Sequence, residues 1–127
     1  MNFYNLHLLH RYAKEFGHSQ IKKIGMSDTE YMICTYLLGH FEASQDDVAE
    51  ALKFDKATVA RALSSLEKKG YVERSINSVN RRKYILTLTQ TGKESIAEIA
   101  DIYDVWIRRI SSCLTEHEQR QFDEYCK

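Results

Sequence analysis

Residues 55–74 read Asp-Lys-Ala-Thr-Val-Ala-Arg-Ala-Leu-Ser-Ser-Leu-Glu-Lys-Lys-Gly-Tyr-Val-Glu-Arg. The stretch predicts a helix that starts and stops cleanly and then turns into a strand. Asp55 is a natural N-cap, because its carboxylate accepts from the backbone N–H groups of the first turn. Val59, Leu63 and Leu66 recur at helical spacing and form one apolar stripe. Gly70 suits the left-handed position just past the helix end. Away from the stripe lie Lys56, Ala57, Thr58, Arg61 and Ser65, all short or basic. A helix with a buried stripe and small or cationic residues toward its start suits insertion into a DNA major groove.

An ordinary amphipathic surface helix would look similar, and the flanking residues decide between the two. Residues 71–76 (Tyr-Val-Glu-Arg-Ser-Ile) and 83–88 (Lys-Tyr-Ile-Leu-Thr-Leu) are short β-prone runs. Between them Asn77, Ser78, Val79, Asn80, Arg81 and Arg82 form a turn-rich tip with two arginines. Helix, strand, basic tip, strand is the pattern of a winged helix-turn-helix. The expected class is therefore mainly α with a small β-wing.

At 127 residues the chain is expected to form one domain, large enough to bury a core without disulfide or metal staples. Its formal net charge is zero, which alone argues against a nucleic-acid binder. The distribution argues the other way. Residues 53–83 hold nine Lys/Arg against three acids, so the flanks carry the compensating negative charge. A basic centre between acidic ends is the footprint of a local DNA-binding face.

Cysteines stand at 34, 113 and 126, without CxxC or metal-ligand spacing. A sparse, odd set suits a reducing cytosol, so the expected location is cytoplasmic. There is no signal-peptide pattern and no apolar run long enough for a membrane span. No nucleophile–base pair, Gly-rich phosphate loop or metal motif is visible, so neither an enzyme nor a bound cofactor is expected.

In chain order, Phe3, Leu6, Leu9, Tyr12/Ala13 and Phe16 predict an amphipathic helix over 3–24, with Gly17 as a kink or break and Gly25 as its end. His7, His10 and His18 lie near one another on it; surface histidines are commoner than a metal or pH sensor in such a setting. Ser27-Asp-Thr-Glu30 is a capping box. It opens a helix that is apolar nearly all round and reads as the central buried one, with Cys34 a core thiol. Ser44 caps a short helix, with Asp46 and Asp47 in its first turn. This helix and the Asp55 helix make the helix-turn-helix. Ser44 and Gln45, at its start, join Lys56, Ala57, Thr58, Arg61, Ser65, Arg81 and Arg82 as the candidate DNA-contacting set. Thr89 caps a long helix over 90–113. There Ile96, Ile99, Tyr103, Trp106 and Ile110 run as a coiled-coil-like seam that calls for a partner helix. Thr115-Glu-His-Glu118 is a second capping box, opening a final helix with Phe122, Tyr125 and Cys126.

The chain resembles the MarR family of winged helix-turn-helix transcription regulators. Four motifs carry the resemblance in type and spacing. They are Asp55-Lys56-x-Thr58-Val59-x-Arg61, then Leu66-Glu67-Lys68-Lys69-Gly70-Tyr71-Val72, then Arg82, then Leu88-Thr89-x-x-Gly92. They cover residues 25–92; the terminal helices agree in pattern only. The resemblance implies a homodimer on a palindromic double-stranded operator, built from dimerisation helices at 3–24 and 90–127 around a DNA-binding lobe at 27–89. Phe3, Leu6, Leu9, Ile99, Tyr103, Trp106, Ile110 and Phe122 are the expected dimer contacts. Family members often release DNA on binding small aromatic ligands or on cysteine oxidation. Tyr12, Tyr31 and Tyr36 are the candidates to line such an effector pocket, against the bland reading that they are core.

Some positions depart from the family pattern. Asn80 stands where an Asp usually precedes the wing arginine by two residues; an amide can position Arg82 but cannot pair with its charge. The wing lacks proline, and Ala57 and Ala60 replace residues that are usually polar, leaving base readout to Lys56, Thr58 and Arg61. Residues 3–24 lack the cysteine of the peroxide-sensing branch. His40, Glu42 and Cys34 only superficially suggest the zinc-sensing branch, since 90–113 holds no His. The reading is a transcriptional repressor. The alternatives are a winged-helix protein-interaction module without DNA binding, and a metal- or redox-responsive regulator of the same fold.

Overall fold

The computed structural model describes residues 2–125. Its centre is α2 (Asp28–Gly39). The capping box forms: the Glu30 N–H donates to Ser27 Oγ at 3.2 Å, and the Ser27 N–H donates to Glu30 Oε2 at 2.8 Å. Ile33, Cys34 and Leu37 are buried, whereas Met32 and Leu38 are exposed, so α2 presents one inner face rather than being buried all round.

Around it the elements run α1 (Phe3–Lys23), α2, α3 (Gln45–Leu52), α4 (Lys56–Lys68), β1 (Val72–Ile76), β2 (Tyr84–Leu88), α5 (Gln90–Ile110) and α6 (Glu116–Tyr125). The helix-turn-helix is α3 and α4. Lys53 takes the left-handed C-cap of α3 (φ 58°), and the Phe54 N–H donates to the Ala49 carbonyl. The stripe of α4 is Val59, Ala62, Leu63 and Leu66, packed with Val48, Ile33 and Leu37. Past α4, Gly70 adopts φ 75° and the Tyr71 N–H reaches the Leu66 carbonyl at 2.9 Å, the pattern of a Schellman close. β1 and β2 then pair antiparallel, with Val72 opposite Leu88 and Ile76 opposite Tyr84. Val72, Leu86 and Leu88 turn into the core, and the Leu86 N–H donates to the Ala43 carbonyl, tying the wing to the start of the helix-turn-helix.

Three further expectations are corrected. Gly17 does not break α1, which is continuous through it. Its lack of a side chain serves a close contact instead: a Cβ there would overlap the Tyr103 hydroxyl. α5 ends at Ile110, not near 113. The Ser111 and Ser112 hydroxyls donate to the Ile107 and Arg109 carbonyls, competing with the helical ladder. Gln119 of α6 then donates to the Ser111 and Leu114 carbonyls and folds α6 back. Third, the middle of the α5 seam finds its partner within the same chain. Phe16 of α1 stacks on Trp106 (centroids 5.3 Å, 11°) and meets Tyr103 edge-on at 5.8 Å. Ile99 is only 1% exposed. It is therefore subunit core rather than an outward-facing dimer contact.

One ion pair with a buried carboxylate holds these parts together. Glu30 is almost fully buried, and Lys69 Nζ approaches its Oε2 to 2.7 Å and Oε1 to 3.0 Å while also donating to the Gly25 carbonyl at 2.7 Å. Burial alone would raise the Glu30 carboxyl. Hydrogen bonds from Lys69, Ser65 and the Ser27 backbone, with the charge of Lys69, outweigh it and hold the group below its ordinary range. Stabilisation from such a group is present above its unfolded-state pKa of about 4.3 and is lost as pH falls through the lower folded value. Lys69→Met should therefore cost about 3 kcal/mol at neutral pH, because it strands a buried charge. The deficit should shrink as pH falls toward the acidic range, starting above the ordinary carboxylate value, because burial without Lys69 raises the Glu30 carboxyl and the stranded charge is lost on protonation. Denaturant unfolding of both proteins across the acidic to neutral range checks this; a deficit that does not vary with pH contradicts it.

Candidate nucleic-acid interface

The exposed side of α4 is set by its buried stripe. With Val59, Leu63 and Leu66 inward, Lys56, Ala57, Arg61, Ser64 and Lys68 are exposed. At the front of the helix a hydrogen-bonded chain forms. Asp55 Oδ1 accepts the Thr58 N–H at 2.8 Å, and Asp55 Oδ2 accepts the Thr58 hydroxyl at 2.6 Å. Thr58 Oγ1 accepts in turn from Arg61 Nη2 at 3.1 Å. The Thr58 bonds hold the Asp55 carboxyl below its ordinary range. Thr58 is thus bonded to both Asp55 and Arg61, and its hydroxyl orients the Arg61 guanidinium.

The wing tip is shaped by its asparagines. Asn77 Oδ1 accepts the Val79 and Asn80 N–H groups at 2.9 and 3.1 Å, and Asn80 Oδ1 accepts the Arg82 N–H at 3.2 Å. Asn80 therefore positions the backbone of Arg82. Arg81, Arg82 and Lys83 are exposed. Between the wing and the start of α3 lies a cleft of about 210 Å³, lined by Ser44, Gln45, Asp46, Arg74, Arg82 and Lys83 among others. Ser44 is occupied in its own capping box, donating from its N–H and hydroxyl to Asp47 at 2.7 and 2.6 Å.

Several central cations are engaged in ion pairs. Lys69 holds Glu30, and Arg74 Nε lies 3.0 Å from Glu67 Oε1 although no hydrogen bond forms at that nitrogen. Lys56 Nζ lies 2.9 Å from Asp46 Oδ1. Arg61, Lys68, Arg81, Arg82 and Lys83 have no ion-pair partner among the described residues. Ser65 is half-buried beside the Glu30 carboxyl, so less of it faces outward than the sequence suggests. Ser64 and Lys68 take its place, and their spacing from Ala57 and Arg61 at seven-residue steps is the signal that points to them.

The remaining candidates divide. Tyr36 stacks on His40 (4.0 Å, 9°), Tyr31 lies 6.2 Å from Tyr103, and Tyr12 is exposed on α1. Tyr31 and Tyr36 are half-buried and pack against the core. Phe3, Leu6, Leu9, Ile110 and Phe122 are exposed. Leu9, Ile107, Ile110, Leu114 and Phe122 line an apolar groove of about 370 Å³. Cys34 is fully buried, and burial pushes its thiol up to about 12. His18 lies 3.2 Å from Asp28. Among the described residues no group of three or more His, Cys, Asp or Glu is placed to hold a metal. No helix there is long and apolar enough to cross a membrane.

Known proteins share this geometry. Residues 21–87 match the family model described as sugar-specific transcriptional regulator TrmB, just over half of the chain. A MarR transcriptional regulator from Methanosarcina mazei Go1 superposes with a TM-score of 0.83 at 25% identity, over 96% of this chain and 88% of that one. The chain belongs to the TrmB/MarR group of winged-helix transcriptional regulators. Among curated relatives, the HTH-type transcriptional regulator BilQ of Clostridium symbiosum is 28% identical over 84% of this chain and 74% of its own length. The MepR–DNA complex of Staphylococcus aureus shares the fold of this MarR-type regulator: its TM-score is 0.81 at 21% identity, over 99% of this chain and 91% of that one. The match to TrmB spans the winged-helix lobe, and sugar specificity remains that family's description.

The third cysteine, Cys126, lies outside the described residues. In a Cys126→Ser variant of this MarR-type regulator, one thiol should react readily with a disulfide reagent at mildly alkaline pH, namely exposed Cys113. Cys34 should react only on unfolding. Fast labelling of two thiols in the folded protein contradicts the assignment of Cys34 to an inert core.

Proposed function

We propose that this regulator acts as a homodimeric repressor on a palindromic double-stranded operator, with α4 in the major groove and the wing tip in the flanking minor groove. The observation that carries this is the common exposure of Arg61, held by the Asp55–Thr58 chain, and of Arg81 and Arg82, held by the asparagine turns. A guanidinium aimed from a rigid helix suits a base edge or flanking phosphate. A guanidinium on a two-stranded ribbon suits the negative potential of a narrow minor groove. The S. aureus MepR complex, which holds DNA on the same fold, supports the docking mode by analogy. On this reading residues 27–89 form the DNA-binding lobe and residues 3–24 and 90–127 the dimerisation part. The second copy covers the exposed apolar ends of α1, α5 and α6. A small aromatic effector that weakens DNA binding would by reciprocity bind the DNA complex less tightly.

The two arginines should fail differently. Arg61→Ala should relax preference at one or two positions per half-site, at a cost of about 1–3 kcal/mol on the best operator. Arg82→Ala should weaken matched and scrambled duplexes more evenly. It should also lower the slope of log K against log salt by about 0.9 for each phosphate that the arginine no longer neutralises, twice per dimer. Unchanged affinity and slope in Arg82→Ala would remove the wing from the interface. Binding of both variants to operators selected from genomic fragments, at several salt concentrations, provides the measurement.

Thr58 supplies an independent check on how Arg61 is aimed. Thr58→Val deletes the hydroxyl that joins Asp55 to Arg61 and should reproduce most of the Arg61→Ala loss of sequence preference. Thr58→Ser keeps the hydroxyl and should bind as the parent does. Equal behaviour of the Val and Ser variants would show that the hydroxyl plays no part.

A further inference from the structure

Asp46 stands among the cations of the cleft between the wing and α3. It is in the first turn of α3, where an acid also meets the helix dipole favourably. Its neighbour Asp47 supplies the capping box, so the cap does not use Asp46. The Asp46 carboxylate reaches across the helix-turn-helix to Lys56, at 2.9 Å, and lines the cleft that also holds Arg74, Arg82 and Lys83. It is the only acid among the residues lining that cleft. Lys56 is the first residue of α4 and, with Arg61 and the wing arginines, belongs to the cations a phosphate backbone would meet.

We propose that Asp46 is a competing counter-ion for the DNA interface: it occupies Lys56 in the free protein, and a DNA phosphate must displace it before Lys56 joins the contact. This rests on the DNA-binding reading above and adds to it a residue that sets affinity without itself touching DNA. The carboxylate and the incoming phosphate are both anionic oxygen acceptors for one ammonium group, so only one holds it closely at a time. Lys83, across the cleft, adds to Lys56 in keeping Asp46 below its ordinary pKa, so the competitor is charged throughout the neutral range. The pair is solvent-exposed, so it is weak enough to be exchanged. In this way the protein lowers the sequence-independent part of its affinity, the part that cations on phosphates supply.

The test compares the parent, Asp46→Asn, Lys56→Ala and the double variant on a matched and a scrambled duplex across a salt series. Asp46→Asn should bind the scrambled duplex about three- to tenfold more tightly and steepen the salt slope by up to about 0.9 per half-site, because Lys56 is then free to release a counterion. In the Lys56→Ala background the same substitution should change little. Asp46→Ser should read as Asp46→Asn does, which separates the lost charge from any effect of the new side chain. A role confined to stabilising α3 would shift the unfolding midpoint and leave the slope alone. Unchanged or weaker binding by Asp46→Asn overturns the proposal, and so does a gain that persists without Lys56. Should the folded parent itself lack salt-dependent DNA affinity, the DNA-binding reading fails first, and the inference falls with it; a parent that binds and an Asp46→Asn variant identical to it sinks this inference alone.

Discussion

A carboxylate removed from water must be charge-paired or protonated, and Glu30 is paired. Much of the lobe depends on that constraint. Glu30 closes the capping box of α2, so the start of the central helix is fixed to it. Lys69 brings the end of α4 to the same point and also donates to the Gly25 carbonyl in the turn between α1 and α2. Two residues on, the Tyr71 hydroxyl donates to the Ile24 carbonyl at 2.7 Å, and the Tyr71 carbonyl accepts the Thr89 N–H at 3.0 Å. Gly92 allows this closeness, since a Cβ there would run into the Tyr71 carbonyl oxygen. The rear of α4, the root of the wing and the start of α5 are thereby held as one piece. The free ends of that piece are the front of α4 and the wing tip.

The division between rear and front explains how a chain with no net charge presents a basic face. Cations at the rear are consumed structurally, Lys69 by Glu30 and Arg74 by its contact with Glu67. Those at the front are held by neutral groups: Arg61 by a hydroxyl, Arg82 by an amide acting on its backbone. A neutral positioner orients a cation without cancelling its charge. Lys56 is the exception, and its pairing with Asp46 distinguishes a cation in reserve from one on display.

What is legible in the sequence is mostly local. The caps at Ser27, Ser44, Asp55, Thr89 and Thr115 fall where their side chains can reach the first-turn N–H groups, and each forms. The stripe of α4 and the two strands follow from periodicities of a few residues. What escapes a reading of the sequence is set by contacts distant along the chain. Gly17 reads as a break because only the fold places Tyr103 over it. Ile99 reads as an interface residue because periodicity gives a face but not what covers it. Ser65 reads as fully outward although it is half-buried beside Glu30, far away in the chain. The long helix reads past Ile110 because only the fold shows that Gln119 of α6 returns to take up the Ser111 and Leu114 carbonyls.

On the proposed reading, two copies of the lobe present the front of α4 and the wing tip to a single face of the double helix. Hydroxyl-radical footprinting on a genomic fragment selected by the full chain addresses it most directly. The account predicts two symmetry-related clusters of protected sugars whose centres lie one helical turn or a multiple of it apart, about 10–10.5 base pairs per turn, with further protection in the flanking minor grooves. A single asymmetric patch, or protection of the central turns with none in the flanking minor grooves, would contradict it.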